Sequence, residues 1–165
     1  MEDNLEGPKG TVPLGHFEQK IKAAFFDRDG VLNIDKEYLH CIEELEWVDG
    51  AKEAVAYLTK EGYTVFVVTN QSGIARGYYK VEDMQRLHEH MAAEVAAAGG
   101  KITKFYYCPH LPTGKVAQYA IECDCRKPKP GLLLQAMSEY HICKENSFLI
   151  GDKKRDLESA EAAGI

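Results

Sequence analysis

The sequence predicts an α/β domain with a mainly parallel sheet and helices on both faces. Three observations carry that expectation. The 165 residues suit one globular domain. From Lys22 onward, short apolar runs alternate with stretches of helical periodicity. Several runs also end directly in small polar or acidic residues, where ligands bind in such sheets.

Taken in order, residues 1–21 carry Gly7, Pro8, Gly10, Pro13 and Gly15 with few apolar neighbours, and are expected to form an extension that crosses the surface or is disordered. The domain proper is expected over 22–165. Its first strand is Ala23–Phe26. Ala51, Val55 and Leu58 recur at helical spacing, predicting a helix near Ala51–Lys60 with Asp49 as N-cap. Thr64–Val68, nearly all β-branched or aromatic, is the second strand. A helix at about Val81–Ala98 precedes a strand at Ile102–Tyr107. A helix at about Gly131–Tyr140, with Pro130 near its first turn, leads to a strand at Ser147–Ile150 and a last helix at about Arg155–Ala163.

Composition excludes several classes. With 26 Asp+Glu against 20 Lys+Arg and a formal charge of −6, the chain lacks the balance of a general nucleic-acid binder. No run approaches the ~20 apolar residues of a membrane span, and no signal peptide is evident, so a cytoplasmic protein is expected.

The chemistry sits after the strands. Asp27 and Asp29 are two apart, so in extended chain their carboxylates project the same way, and Gly30 permits a sharp departure. Asp152, after another strand, is placed to join them. Carboxylates gathered at one point repel unless a cation sits among them, and a hard oxygen-ligated ion such as Mg²⁺ suits that set. A carboxylate can also attack phosphorus, with a second one serving as general acid and then base. Thr69 and Asn70 offer donors to phosphoryl oxygens, and the loop Ser72–Gly77 offers backbone N–H groups. Lys127, on a loop stiffened by Pro128 and Pro130, is the expected fixed cation, with Arg126 able to grip phosphate bidentately. Lys153 is placed to touch substrate or to neutralise the acidic cluster, and Asp156 to hold a loop or orient Lys127 or Lys153.

Cys108, His110, Cys123 and Cys125 form two i, i+2 pairs separated by 12 residues. Three thiolates and an imidazole select zinc over magnesium, and four protein ligands leave no open position, so a structural Zn²⁺ loop over 108–125 is expected. Cys125 is bonded directly to Arg126, so a metal there would set where Arg126 and Lys127 emerge. Cys41 and Cys143 are expected to be ordinary buried thiols.

Asp27-x-Asp29-Gly30, Thr69, Lys127 and Gly151-Asp152-x-x-x-Asp156 resemble the haloacid dehalogenase (HAD) superfamily of phosphatases, with its Rossmann-like fold. The longer strings Asp27–Asn33, Thr69–Gly77, Cys108-Pro109-His110 and Cys123–Pro128 resemble its heptose bisphosphate phosphatases, over about 22–165. The related histidinol-phosphate phosphatases share the superfamily motifs and a comparable zinc loop. The resemblance implies Asp27 as nucleophile and Asp29 as proton donor. It implies Mg²⁺ on the Asp27 and Asp152 side chains and the Asp29 carbonyl, and Thr69 and Lys127 around the phosphoryl group. It implies sugar-phosphate contacts at Asp35, Lys36, Glu37, Tyr38, Asn70, Gln71, Ser72, Arg126 and Lys153. From the residues alone, Asp35 suits sugar hydroxyls and Tyr38 a ring, or both are loop scaffolding. The intervals Gly30 to Thr69 and Thr69 to Lys127 leave no room for a separate cap domain. A monomer acting on a small sugar phosphate is implied, and because the family continues past the position of Ile165, truncation at the C-terminus is expected. A phospho-accepting receiver module is the alternative from another class.

Overall fold

The computed structural model describes residues 19–165. The expected extension falls largely on residues outside those described. Within them, Ile21 already pairs with Ile142, one residue before the expected start of the domain.

Four parallel strands form one sheet in the order β3-β2-β1-β4, with β1 Ala23–Phe26, β2 Thr64–Asn70, β3 Ile102–Cys108 and β4 Phe148–Ile150. The helices are α1 Ala51–Lys60, α2 Gly73–Arg76, α3 Val81–Ala97, α4 Gly131–Tyr140 and α5 Lys154–Ala163. Strand periodicity of two divides the core between the two faces of the sheet. Ala24, Phe26, Val65 and Val67 pack with Val55 of α1 and with Leu87, Met91 and Val95 of α3. Ala23, Phe25, Phe66 and Val68 pack with Leu132, Leu133 and Ala136 of α4 and Ala163 of α5. Strands covered on both sides read as continuous apolar runs rather than alternating ones.

Four local expectations are corrected. Gly50, at φ 78°, caps α1 in place of Asp49. β2 runs past Val68 because Thr69 and Asn70 pair with Tyr107 and Cys108 of β3, extending both strands toward the site. Cys41 and Cys143 are half-exposed rather than buried, and the Cys143 thiol donates to Glu145 at 3.3 Å. The segment read as the loop Ser72–Gly77 contains the one-turn α2. Among the described residues no helix is long and apolar enough to cross a membrane.

Candidate active site

The carboxyl ends of β1, β2 and β4 converge where open parallel sheets bind their ligands. Asp27 follows β1, and its N–H donates to Ile150 O of β4 at 2.9 Å. The chain then curls so that Arg28 O accepts from Val31, Leu32 and Asn33. Gly30 holds φ 88°, and a Cβ there would lie 2.3 Å from Asp152 Oδ2, so only glycine lets Asp152 approach the turn. Carboxylate oxygens of Asp27, Asp152 and Asp156 lie within 4.8 Å of one another.

Lys127 answers that concentration of charge. Its ammonium is 2.9 Å from Asp27 Oδ1 and 2.6 Å from Asp156 Oδ1, and it donates to Val68 O at 2.9 Å. The Asp156 approach is an ion contact rather than an aligned hydrogen bond. Burial pushes the Asp27 carboxyl above the usual range, against the pull of Lys127 and with Asp156 adding to the rise. Asp156 also accepts the Lys153 N–H at 3.1 Å at the start of α5, so it both orients Lys127 and holds the loop. Asp152 is exposed and makes no ion pair among the described residues, leaving its oxygens available with those of Asp27 for a hard cation.

The polar residues after β2 brace this arrangement. The Asn70 amide clasps the Lys127 backbone, accepting its N–H at 3.0 Å and donating to its carbonyl at 3.1 Å. The Gln71 amide donates to Asp29 Oδ2 at 3.1 Å and to Thr69 Oγ1 at 2.9 Å. Tyr79 donates to Gln71 Oε1, and burial first, with Asp29 adding, pushes its phenol up to about 12, so it stays a donor. A Cβ on Gly73 would lie 2.2 Å from the Tyr79 ring, so glycine seats that tyrosine.

Above them opens a polar cavity of about 300 Å³, lined by Asp29, Asp35, Glu37, Tyr38, Asn70, Gln71, Ser72, Arg126 and Lys153. Lys36 lies outside it, paired with Glu46 at 3.0 Å. Asp27, Thr69 and Lys127 are buried and do not line it. Glu37 and Tyr38 hold φ of 50° and 54°, unusual for residues with side chains and concentrated at functional rims. Lys153 donates to Asp35 at 3.0 Å. Partial burial raises the Asp35 carboxyl, but that bond and the Glu37 N–H outweigh it and hold the group below its usual range.

Arg76, Tyr79 and Arg155 also line the cavity and were missed by the motif reading. Arg155 lies three residues beyond Asp152, and Arg76 inside the Ser72–Gly77 run; cations so close to both strand ends were the available signal. A larger cavity, about 580 Å³, lies between 77–83 and 116–119 and holds none of the converging strand-end residues.

Beside the site, Cys108 ends β3 and meets His110, Cys123 and Cys125, with sulfur and Nδ1 atoms at 3.4–3.6 Å in the three closest pairs. A tetrahedron with arms of ~2.3 Å has edges of roughly 3.7 Å, so the donor set and its spacing fit zinc. The Cys108 thiol and His110 outweigh burial and draw Cys125 down to about 5, while Cys108 is pushed up by its bond with Cys125 and by burial. Arg126 donates to His110 O at 3.2 Å, a second tie between this cluster and the cavity.

Comparison with known proteins places this geometry in a lineage. The HAD-hydrolase-like family model matches residues 124–165. D-glycero-beta-D-manno-heptose-1,7-bisphosphate 7-phosphatase of Pasteurella multocida (strain Pm70) is 47% identical over 87% of this chain and 78% of its own. The D-glycero-alpha-D-manno-heptose-1,7-bisphosphate 7-phosphatase of Campylobacter jejuni is 46% identical over 88% and 80%. The structure of D,D-heptose 1,7-bisphosphate phosphatase from B. bronchiseptica, complexed with magnesium and phosphate, superposes with TM-score 0.78 and 34% identity, covering 87% of this chain and 77% of that one. With such identity over most of its length, the chain belongs to the heptose-1,7-bisphosphate 7-phosphatase family of HAD-like hydrolases.

Proposed function

We propose that this protein hydrolyses the 7-phosphate of D-glycero-D-manno-heptose 1,7-bisphosphate. The observation that carries the reading is the buried Asp27, held 2.9 Å from Lys127 at the end of β1, with Asp29 lining a cavity of sugar-phosphate size beside it. In the reaction, an Asp27 carboxylate oxygen attacks phosphorus and the bond from phosphorus to the C7 oxygen breaks. Asp29 gives the departing alkoxide its proton. Asp29 then takes a proton from water as that water attacks the aspartyl-phosphate, releasing inorganic phosphate and restoring Asp27.

Lys127 and the Thr69 hydroxyl offset charge on the equatorial oxygens, and need no rearrangement because Val68 O, Asp156 and Gln71 already hold them. The Asp27 and Asp152 carboxylates and the Asp29 carbonyl would hold Mg²⁺, which would supply charge neutralisation for the phosphoryl group. Arg126 and Lys153 grip the substrate, and the lining positions Asp35, Glu37, Tyr38 and Ser72 contact the sugar. Cys108, His110, Cys123 and Cys125 would hold a structural Zn²⁺ that would preset Arg126. The enzyme works as a cytoplasmic monomer in the supply of activated heptose for surface polysaccharide.

The test is phosphate release from both anomers of heptose 1,7-bisphosphate and from histidinol phosphate, with and without Mg²⁺, using Asp27→Asn as the blank. Mg²⁺-dependent turnover favouring the bisphosphate, absent in Asp27→Asn, is expected. Preference for histidinol phosphate would overturn the substrate, and a stable phosphoprotein without multiple turnover would favour a receiver.

A further inference from the structure

On α3, Met84, Leu87, Met91 and Val95 form a stripe of completely buried apolar side chains, and His88 falls on that stripe at 5% exposure. An imidazole in a core requires a reason, because its polar atoms are costly to bury unpartnered. Its ring stacks on Phe105 with centroids 4.3 Å apart and planes at 13°, and its Nε2 lies 3.1 Å from Arg28 Nη1. The guanidinium is always a donor, so Nε2 presents its lone pair and the imidazole is neutral with its proton on Nδ1. Burial first, and the Arg28 charge second, hold this histidine well below its usual titration range.

Arg28 itself is entirely buried. Its Nε and Nη2 both reach Asp29 Oδ1, at 3.3 and 2.9 Å, and Nη2 also donates to Leu39 O at 2.8 Å. His88 is the partner of Nη1 among the described residues. Asn33 Nδ2 adds a bond to the same oxygen of Asp29 at 3.0 Å. The guanidinium plane is therefore pinned at three corners, and the corner farthest from the chemistry is the histidine.

We infer that His88 is a positioning residue of the phosphatase reaction, fixing through the Arg28 fork the Asp29 carboxyl group whose protonated form gives the leaving oxygen its proton. This rests on the proton-donor reading of Asp29 above. Removing the acceptor frees Nη1 to seek another partner, and turning the guanidinium displaces the fork from Asp29. Proton transfer is sensitive to sub-ångström placement of the donor.

The leaving group separates positioning from simple structural support. A sugar alkoxide needs a proton as its bond to phosphorus breaks, whereas p-nitrophenolate leaves without one. His88→Leu, His88→Asn and His88→Gln are compared on heptose 1,7-bisphosphate and on p-nitrophenyl phosphate, with Asp29→Asn measured alongside. The Gln carbonyl reaches about as far as Nε2, whereas the Asn carbonyl is too short. The readout is the rate of leaving-group release in the first turnover, which precedes the water attack common to both substrates; His88→Leu and His88→Asn are expected to lower it on the sugar phosphate by ~10–100-fold more than on the aryl phosphate. His88→Gln is expected to recover most of that loss. Equal losses on the two substrates, or a Gln variant no better than Asn, would overturn the inference. The Gln and Asn pair decides even if Leu prevents folding. If Asp29→Asn shows no selectivity for leaving group, the proton-donor reading fails and takes the inference with it. If Asp29→Asn is selective and the His88 variants are not, only the inference fails.

Discussion

The carboxylate cluster and the cysteine-histidine cluster lie side by side and solve the same problem differently. Both gather groups that repel when ionised. At the strand ends the protein supplies its own counter-ion, Lys127, at 2.9 and 2.6 Å from Asp27 and Asp156. In the 108–125 loop no ion pair holds the thiols among the described residues, and charge is managed by sharing protons, so that Cys125 ionises easily while Cys108 resists. The first cluster keeps its geometry by internal ion pairing and backbone clasps. The second would depend on a metal in place of those protons, and the donor set suits zinc. The two are coupled through residues 125–127, so the weaker-held cluster sets the entry of the lysine that stabilises the stronger.

Lys127→Ala gives the largest effect that would break this contrast. It leaves two carboxylates buried without a counter-ion, and a loss of ~3–5 kcal/mol in urea unfolding is expected, with kcat lower by ~10²–10³-fold. Lys129→Ala is the control. Lys129 is half-exposed, with Glu122 and Asp124 at 3.8 and 4.0 Å, and its loss is expected to cost no more than ~1 kcal/mol. Similar losses at both lysines would remove the counter-ion argument.

Stripping zinc tests the second cluster. Displacement by a thiol reagent in the presence of a zinc dye is expected to release one metal per chain, increase tryptic cleavage at Lys115, and raise KM for the bisphosphate about tenfold. Unchanged KM and cleavage would mean that the loop keeps Arg126 in place without a metal.

The smallest effect sharpens the comparison with a third, exposed carboxylate. Glu139 accepts from Lys104 at 2.7 Å, Tyr106 at 2.6 Å and Gln135 at 3.0 Å. These bonds, led by that of Lys104, hold its carboxyl at about 2 against an ordinary 4.5. A carboxyl lowered on folding stabilises the fold above its unfolded value and loses that contribution as pH falls through the folded one. Stability measured from pH 5 down to about 2 is therefore expected to decline less steeply in Glu139→Gln. Coincident curves would show that the trio contributes nothing. Asp27 behaves oppositely, since burial raises it.

What the sequence discloses follows how local each determinant is. The apolar runs of β1 and β2 and the stripe of α3 are written in consecutive residues, and the structure has strands and a helix there. The ends of β2 and β3 are not, because Thr69 and Asn70 become strand only by pairing across to Tyr107 and Cys108. The N-cap of α1 went to Gly50 because a left-handed residue turns the chain into the helix there, which the Asp49 side chain does not announce. In the site, Asp27, Asp29, Lys127 and the four metal-type ligands were readable from spacing and motif. The Arg28–His88 contact was not, since it joins residues 60 apart in the chain. Its trace was a histidine on an otherwise apolar helical stripe. Arg76 and Arg155 were hidden for the same reason: they reach the cavity through the folding of α2 and the start of α5.

Asp27 follows β1, which is buried throughout, whereas Asp152 is exposed. Backbone at an exposed position opens to solvent more readily than backbone in a buried strand, and that opening need not involve the core. The two carboxylates are thus anchored with unequal firmness. Amides of β1 are expected to outlast those of Gly151 and Asp152 in hydrogen exchange, so how long a cation stays between the pair is set by how often Asp152 is in place.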